Sequence, residues 1–298
     1  MTSSFRAWRW PARVAPALAV LGCGTTTEPE PTALGPPDLP APVFPTATSL
    51  GPNDDEPAWL KRLPERAPVA KTGDEVWAVV PAVGTLAQVG VFRVAGVYDG
   101  LYSLSDRAGT RRDGIRPAAV HRTGSRPATT SGALVLCHTP TTSAVLARLE
   151  PVTPGAALRV RYDWAGVSKT TEIDHFERPR VGVQPLAYVG HPYAGGMSRG
   201  LVVALDETSG WVLTDSGHVV THPREALAPV PLPTVDHDVG ANVVAYRWGT
   251  GFFRGTVRAR LENGARFRVQ PVGDRPPADL FFSAVYPRDQ NASRLLRE

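Results

Sequence analysis

The sequence holds only two cysteines among its 298 residues, too few for a disulfide framework or a cysteine-based zinc site. The apolar run from Val14 to Leu21 is too short to cross a bilayer as a helix. Sustained helical periodicity is missing as well. Thirty prolines and 28 glycines interrupt the chain and leave short apolar runs between them, which predicts an all-β protein with many turns. Nor is there a large surplus of one charge. The formal net charge is +4, and Arg6, Arg9 and Arg13 lie in a first segment that has no acid; without that segment it falls to +1. A near-neutral chain offers no electrostatic case for nucleic acid.

Residues 1–22 have the layout of a secretory signal: a basic stretch, an apolar run and a small residue before Cys23. The end of this segment, Val20-Leu21-Gly22-Cys23, resembles a bacterial lipobox. The resemblance implies that Cys23 is lipidated and becomes the new N-terminus, and Gly24 after it implies the outer membrane. Acyl chains would hold such a protein at the cell envelope by about 0.8 kcal/mol per buried CH₂. Cys137 then remains as a free thiol, and no intramolecular disulfide can form. Residues 23–70 are rich in Pro, Thr, Ala and acids. They are expected to be an extended spacer of polyproline II character, disordered and rising about 3.1 Å per residue, with one short helical turn in Asp54–Leu63 docked through Trp59.

A repeat organises the rest. Gly240 is followed three residues on by Val243 and five on by Ala245. Gly73 has Val76 and Ala78 at those offsets, Gly132 has Val135 and Cys137, and Gly182 has Pro185 and Ala187. The anchors lie 59, 50 and 58 residues apart. Residues 196–204, GMSRGLVVA, align with residues 251–259, GFFRGTVRA, in a shared G-x-x-R-G-x-V-x-A. Third strands follow at Leu101–Leu104, Leu158–Tyr162, Trp211–Leu213 and Arg266–Val269, the last with period-two alternation.

The phrase AYRWGTGFFRGTVRARLENGARFRVQPVGD resembles the SH3-like barrels of the Tudor and Agenet type: a first strand, an aromatic-bearing loop, a Y-R-G/A-x-V second strand and an F-x-V third. The resemblance implies four tandem small barrels, at residues 71–125, 130–180, 181–232 and 237–290. Units this small are expected to pack in pairs, with the second and third closest. What the resemblance implies about function is a non-enzymatic binding or scaffolding module, taking an envelope protein, a peptide or a cell-wall polymer and needing no cofactor. A cytosolic Tudor-like reader with a misassigned start is the alternative within that family.

Candidate chemistry is sparse. GMSRG fits the nucleophile-elbow pattern around Ser198, the basis for a serine-hydrolase alternative. That pattern has mechanical meaning only between a strand and a helix, whereas LVVAL follows, and Ser198 aligns with Phe253. Cys137 takes the small inward position that Ala78, Ala187 and Ala245 fill in the other repeats, as a buried cysteine does. His218 and His222 stand too far apart along a strand to chelate readily, and Asp236-His237-Asp238 reads as solvated turn. No metal site is expected. With Val243 and Ala245 facing inward, Tyr246 should face outward beside Trp248 and Phe252. These three form the candidate ligand site, a groove or cage for a cationic or apolar group, or else they cover the barrel end or form the contact with the third repeat.

Overall fold

Four glycines in the left-handed region set the fold's rhythm. Gly73, Gly132, Gly182 and Gly240 have φ between 82° and 93°, which a Cβ would strain. Three of them donate their N–H to the second strand of their own repeat, at Val94, Leu149 and Val257. The computed structural model describes residues 56–82, 85–127, 129–139, 142–152, 155–164, 167–234 and 236–296. The expected signal segment 1–22, the expected lipidation site Cys23 and the expected spacer as far as residue 55 lie outside the described residues. Residues 56–70 do not extend as a spacer: helix α1 (Ala58–Lys61) buries Trp59 and Leu60, and Leu63 and Ala70 are buried after it.

Each repeat is one five-stranded antiparallel sheet. The first contains β1 (Glu75–Pro81), β2 (Ala87–Tyr98), β3 (Leu101–Ser105), β4 (Arg111–Ile115) and β5 (Val120–Arg122), in the order 4-3-2-1-5. The second contains β6 (Leu134–Thr139), β7 (Thr142–Leu149), β8 (Leu158–Trp164), β9 (Val167–Ile173) and β10 (Phe176–Glu177). The third contains β11 (Tyr188–Tyr193), β12 (Gly196–Leu205), β13 (Ser209–Thr214), β14 (Val219–Pro223) and β15 (Ala228–Pro229). The fourth contains β16 (Asn242–Arg247), β17 (Gly251–Leu261), β18 (Arg266–Pro271), β19 (Ala278–Phe281) and β20 (Val285–Pro287), followed by helix α2 (Gln290–Ser293). All four sheets share one order, in which the last strand returns beside the first. A register shift at Val94/Gly96, Val202/Ala204 and Val257/Ala259 bends the long second strand, so that its halves pair with different neighbours.

This architecture corrects the expectation of tandem SH3-like barrels of Tudor or Agenet type. The chain is an all-β, four-bladed β-propeller, one blade per repeat. Among the described residues no ladder joins the two edge strands of a sheet, as closing each into its own barrel would require. The first strands are buried on both faces. Val76, Trp77, Ala78, Val79 and Val80 have no exposed surface, and Val243, Val244, Ala245 and Tyr246 are equally enclosed. One face packs on the blade's own sheet and the other on neighbouring blades, so the period-two pattern gives way to a continuous apolar run. The largest apolar cluster accordingly joins blade 1 to Leu136 and Leu146 of blade 2 and to Leu201, Val203 and Trp211 of blade 3.

Polar bonds tie the same junctions. Between blades 1 and 2, the buried Glu177 carboxylate accepts from Trp77 Nε1 at 2.9 Å, from the Gly124 amide, and from Arg180 Nε at 3.1 Å. Between blades 1 and 3, His121 Nε2 stands 2.7 Å from the Val203 carbonyl, and the Ala87 amide donates to Gly217 O at 2.8 Å. Leu134 of blade 2 packs against the core of blade 4. The expected pairing of the second and third repeats is thus one of several junctions. Tyr188 OH donates across it to Ala144 O at 3.3 Å, and Arg180 Nη1 donates to Pro185 O at 3.3 Å.

Candidate functional site

The junction of blades 3 and 4 gathers the most chemistry. Here the β11–β12 and β16–β17 hairpins cross close to their tips. A Cβ at Gly251, whose φ is +84°, would lie 2.6 Å from the Met197 carbonyl oxygen, so only glycine fits both the turn and the approach.

Beneath this crossing Arg199 fills an aromatic cage. Its guanidinium lies 4.7 Å from the Tyr246 ring centre and 5.3 Å from that of Tyr188. Nη1 donates to Ser283 O at 3.0 Å and to Tyr286 OH at 3.3 Å, and Nη2 is 3.8 Å from the Asp215 carboxylate. The ring of Phe252 sits 5.0 Å from Tyr246 and 6.1 Å from Tyr286. Burial opposes the charge on Arg199, but Tyr286, Asp215 and Tyr188 outweigh it and hold the group protonated. Burial likewise pushes the Tyr246 phenol up to about 12 and raises those of Tyr188 and Tyr286, so all three rings stay neutral. Desolvated cation–π contacts are worth about 2 kcal/mol, and hydrogen bonds from a charged donor about 1.5–3 kcal/mol. Arg199→Ala is therefore expected to cost about 3 kcal/mol of stability, read by urea unfolding, with Arg199→Lys recovering only part because an ammonium lacks the planar fork.

The three residues predicted as one ligand site are divided by the structure. Tyr246 points into the junction, not outward, because its strand is buried on both faces, and Phe252 stacks beside it. Trp248 is left outside, 72% exposed. The aromatic cage present here is a different one, with Tyr188 and Tyr246 around the protein's own Arg199.

Ser198 lies within β12, with its Oγ 3.2 Å from Tyr246 OH. His191 stands opposite it in the ladder, yet His191 Nδ1 faces Pro192 O and its Nε2 has no hydrogen-bond partner, so no serine–histidine bond forms. Ser198 thus sits in a strand, not on an elbow, and among the described residues no histidine hydrogen-bonds it. Cys137 is buried in the blade 2 core, where desolvation pushes its thiol up to about 12. His237 is not a solvated turn residue: it is buried, edge-on to Phe267 at 5.2 Å, with Nε2 3.3 Å from Val285 O. Among the described residues no three His, Cys, Asp or Glu side chains converge on a metal-sized site.

Sequence reasoning missed Tyr188, Arg199 and Tyr286 as members of the site. The signal for Arg199 was present in G-x-x-R-G, the motif it shares with Arg254. Its aromatic partners come from three separate strands, and nothing local to any of them marks the meeting. No protein-family model matches the chain, and comparison with curated proteins finds no relative.

Proposed function

We propose that the outer end of the blade 3–4 junction is a ligand surface, on grounds different from those of the small-barrel binding module that the resemblance implied, which the propeller fold overturns. One observation carries this reading. Trp248 stands 72% exposed on a hairpin tip whose other aromatic residues, Tyr246 and Phe252, are packed inward. Tryptophan is enriched among the residues that dominate binding energy, and a ring held on a rigid turn loses little entropy when it is covered. The Arg199 cage stiffens the base of the tip. Such binding needs neither metal nor cofactor. The partner proposed is a component of the cell envelope: a protein, a peptide, a wall polymer or the bilayer itself.

Crosslinking capture by the full chain from its own envelope fraction, with Trp248→Ala in parallel, tests the reading. The substitution is expected to change stability by less than about 0.5 kcal/mol, since the side chain is exposed. It is expected to weaken capture by about 30-fold, the loss of a hot-spot contact of about 2 kcal/mol. Equal capture by both proteins would overturn it.

A further inference from the structure

We infer that this end of blades 3 and 4 docks onto an anionic lipid bilayer, a partner assignment that rests on the binding reading above. Three large apolar side chains stand in solvent here: Trp248 at 72%, Val272 at 72% and Tyr193 at 64% exposed. Pairing places them at one end. Tyr193 is paired with Gly196, the neighbour of Met197, and Arg247, which precedes Trp248, is paired with Gly251, at the crossing of the two hairpins. Val272 joins them because its amide donates to Arg254 O at 3.0 Å, three residues along β17 from Gly251.

Charge sets the choice of partner. The three loop segments involved, residues 192–197, 246–254 and 271–277, carry Arg247, Arg254 and Arg275 against a single acid, Asp274. The nearby Asp279 carboxylate is taken by Arg268 through two hydrogen bonds of 2.7 and 2.9 Å. All three arginines are exposed, and neither Arg247 nor Arg275 has a carboxylate partner among the described residues. Exposed Trp and Tyr settle at the headgroup level of a bilayer, and basic side chains around them are drawn to anionic lipid. An aliphatic tip such as Val272 gains from acyl chains but little from a sugar face or a nucleotide. Turns at Gly251 and Gly273, both with positive φ, hold the tips in place.

Cosedimentation of the full chain with vesicles of phosphatidylcholine alone, or of phosphatidylcholine mixed with phosphatidylglycerol, tests the inference. The segment around residues 14–21 is present in every variant and cancels from the comparison. Wild-type protein is expected to bind the anionic vesicles, to bind neutral ones weakly, and to be released by salt. Arg247→Glu with Arg275→Glu should weaken binding by about 25-fold or more, roughly fivefold for each arginine removed. Trp248→Ala should weaken it on the same vesicles, all variants keeping the wild-type melting temperature. If these variants bind anionic vesicles like wild type, or if a soluble anionic polysaccharide binds as well as the vesicles and competes with them, the bilayer assignment falls. Loss of envelope capture by Trp248→Ala without any vesicle binding would overturn the bilayer and leave the binding reading standing; no effect of Trp248→Ala on either would remove both.

Discussion

Glu177→Ala is expected to lower the unfolding free energy by about 3–5 kcal/mol. The carboxylate is fully buried between blades 1 and 2 and accepts from Trp77 Nε1, the Gly124 amide and Arg180 Nε. Removing it strands a buried indole N–H and leaves an arginine without its counter-ion, and each costs its own desolvation. Glu177→Gln keeps one acceptor but sets an NH₂ group against a second donor, so its loss should be intermediate. Equilibrium urea unfolding followed by circular dichroism measures both. A loss below about 1 kcal/mol for the alanine variant would mean that the junction is not held as described.

Acid is the second large perturbation. His121 Nε2 lies 2.7 Å from the Val203 carbonyl, and because a carbonyl only accepts, Nε2 carries a proton. Burial lowers its pKa to about 4, with Arg180 and Arg66 adding to that and the bond to Val203 opposing it. In the unfolded chain the same group titrates near the ordinary value of 6.5. Below that value the unfolded state therefore binds more protons than the folded one. The stability this group contributes is complete above about pH 6.5 and is lost as pH falls toward 4, about 3 kcal/mol in all.

His138, His175, His191, His222 and His237 are lowered in the same direction, each with burial as the leading cause. His191 and His222 add a geometric reason: their ring centres are 5.0 Å apart, and among the described residues neither Nε2 has a hydrogen-bond partner. Stability measured at fixed temperature should fall steeply between pH 6.5 and 4, and His121→Asn should flatten that slope by about one proton. A stability flat across this window would contradict the buried, neutral assignment.

Much of the blade count was legible in the sequence, and the association of blades was not. The anchors Gly73, Gly132, Gly182 and Gly240 were visible because a left-handed turn demands glycine at one fixed place in each repeat. Cys137 was visible for a similar local reason, a small inward position shared with three alanines. Tyr246 was misplaced because alternation assigns every second residue to solvent, an assumption that fails when both faces of a strand are covered. The run VWAVV at residues 76–80 carried that information, since an unbroken apolar stretch is the mark of two-sided burial. Glu177 gave no sign at all. In EIDHFERP it reads as one charge among several, and its partners Trp77 and Gly124 lie 100 and 53 residues away. The small-barrel resemblance failed for a related reason: local strand motifs report how a sheet pairs within itself and are silent about what covers its faces.

Four blades that share buried first strands and polar junctions form one cooperative structure, not four beads. Differential scanning calorimetry of the full chain tests it most directly. A single transition is expected, with calorimetric and van't Hoff enthalpies that agree, and Glu177→Ala is expected to shift it downward as a whole. Two or more separable transitions, with blade 4 melting at its own temperature regardless of Glu177, would contradict it.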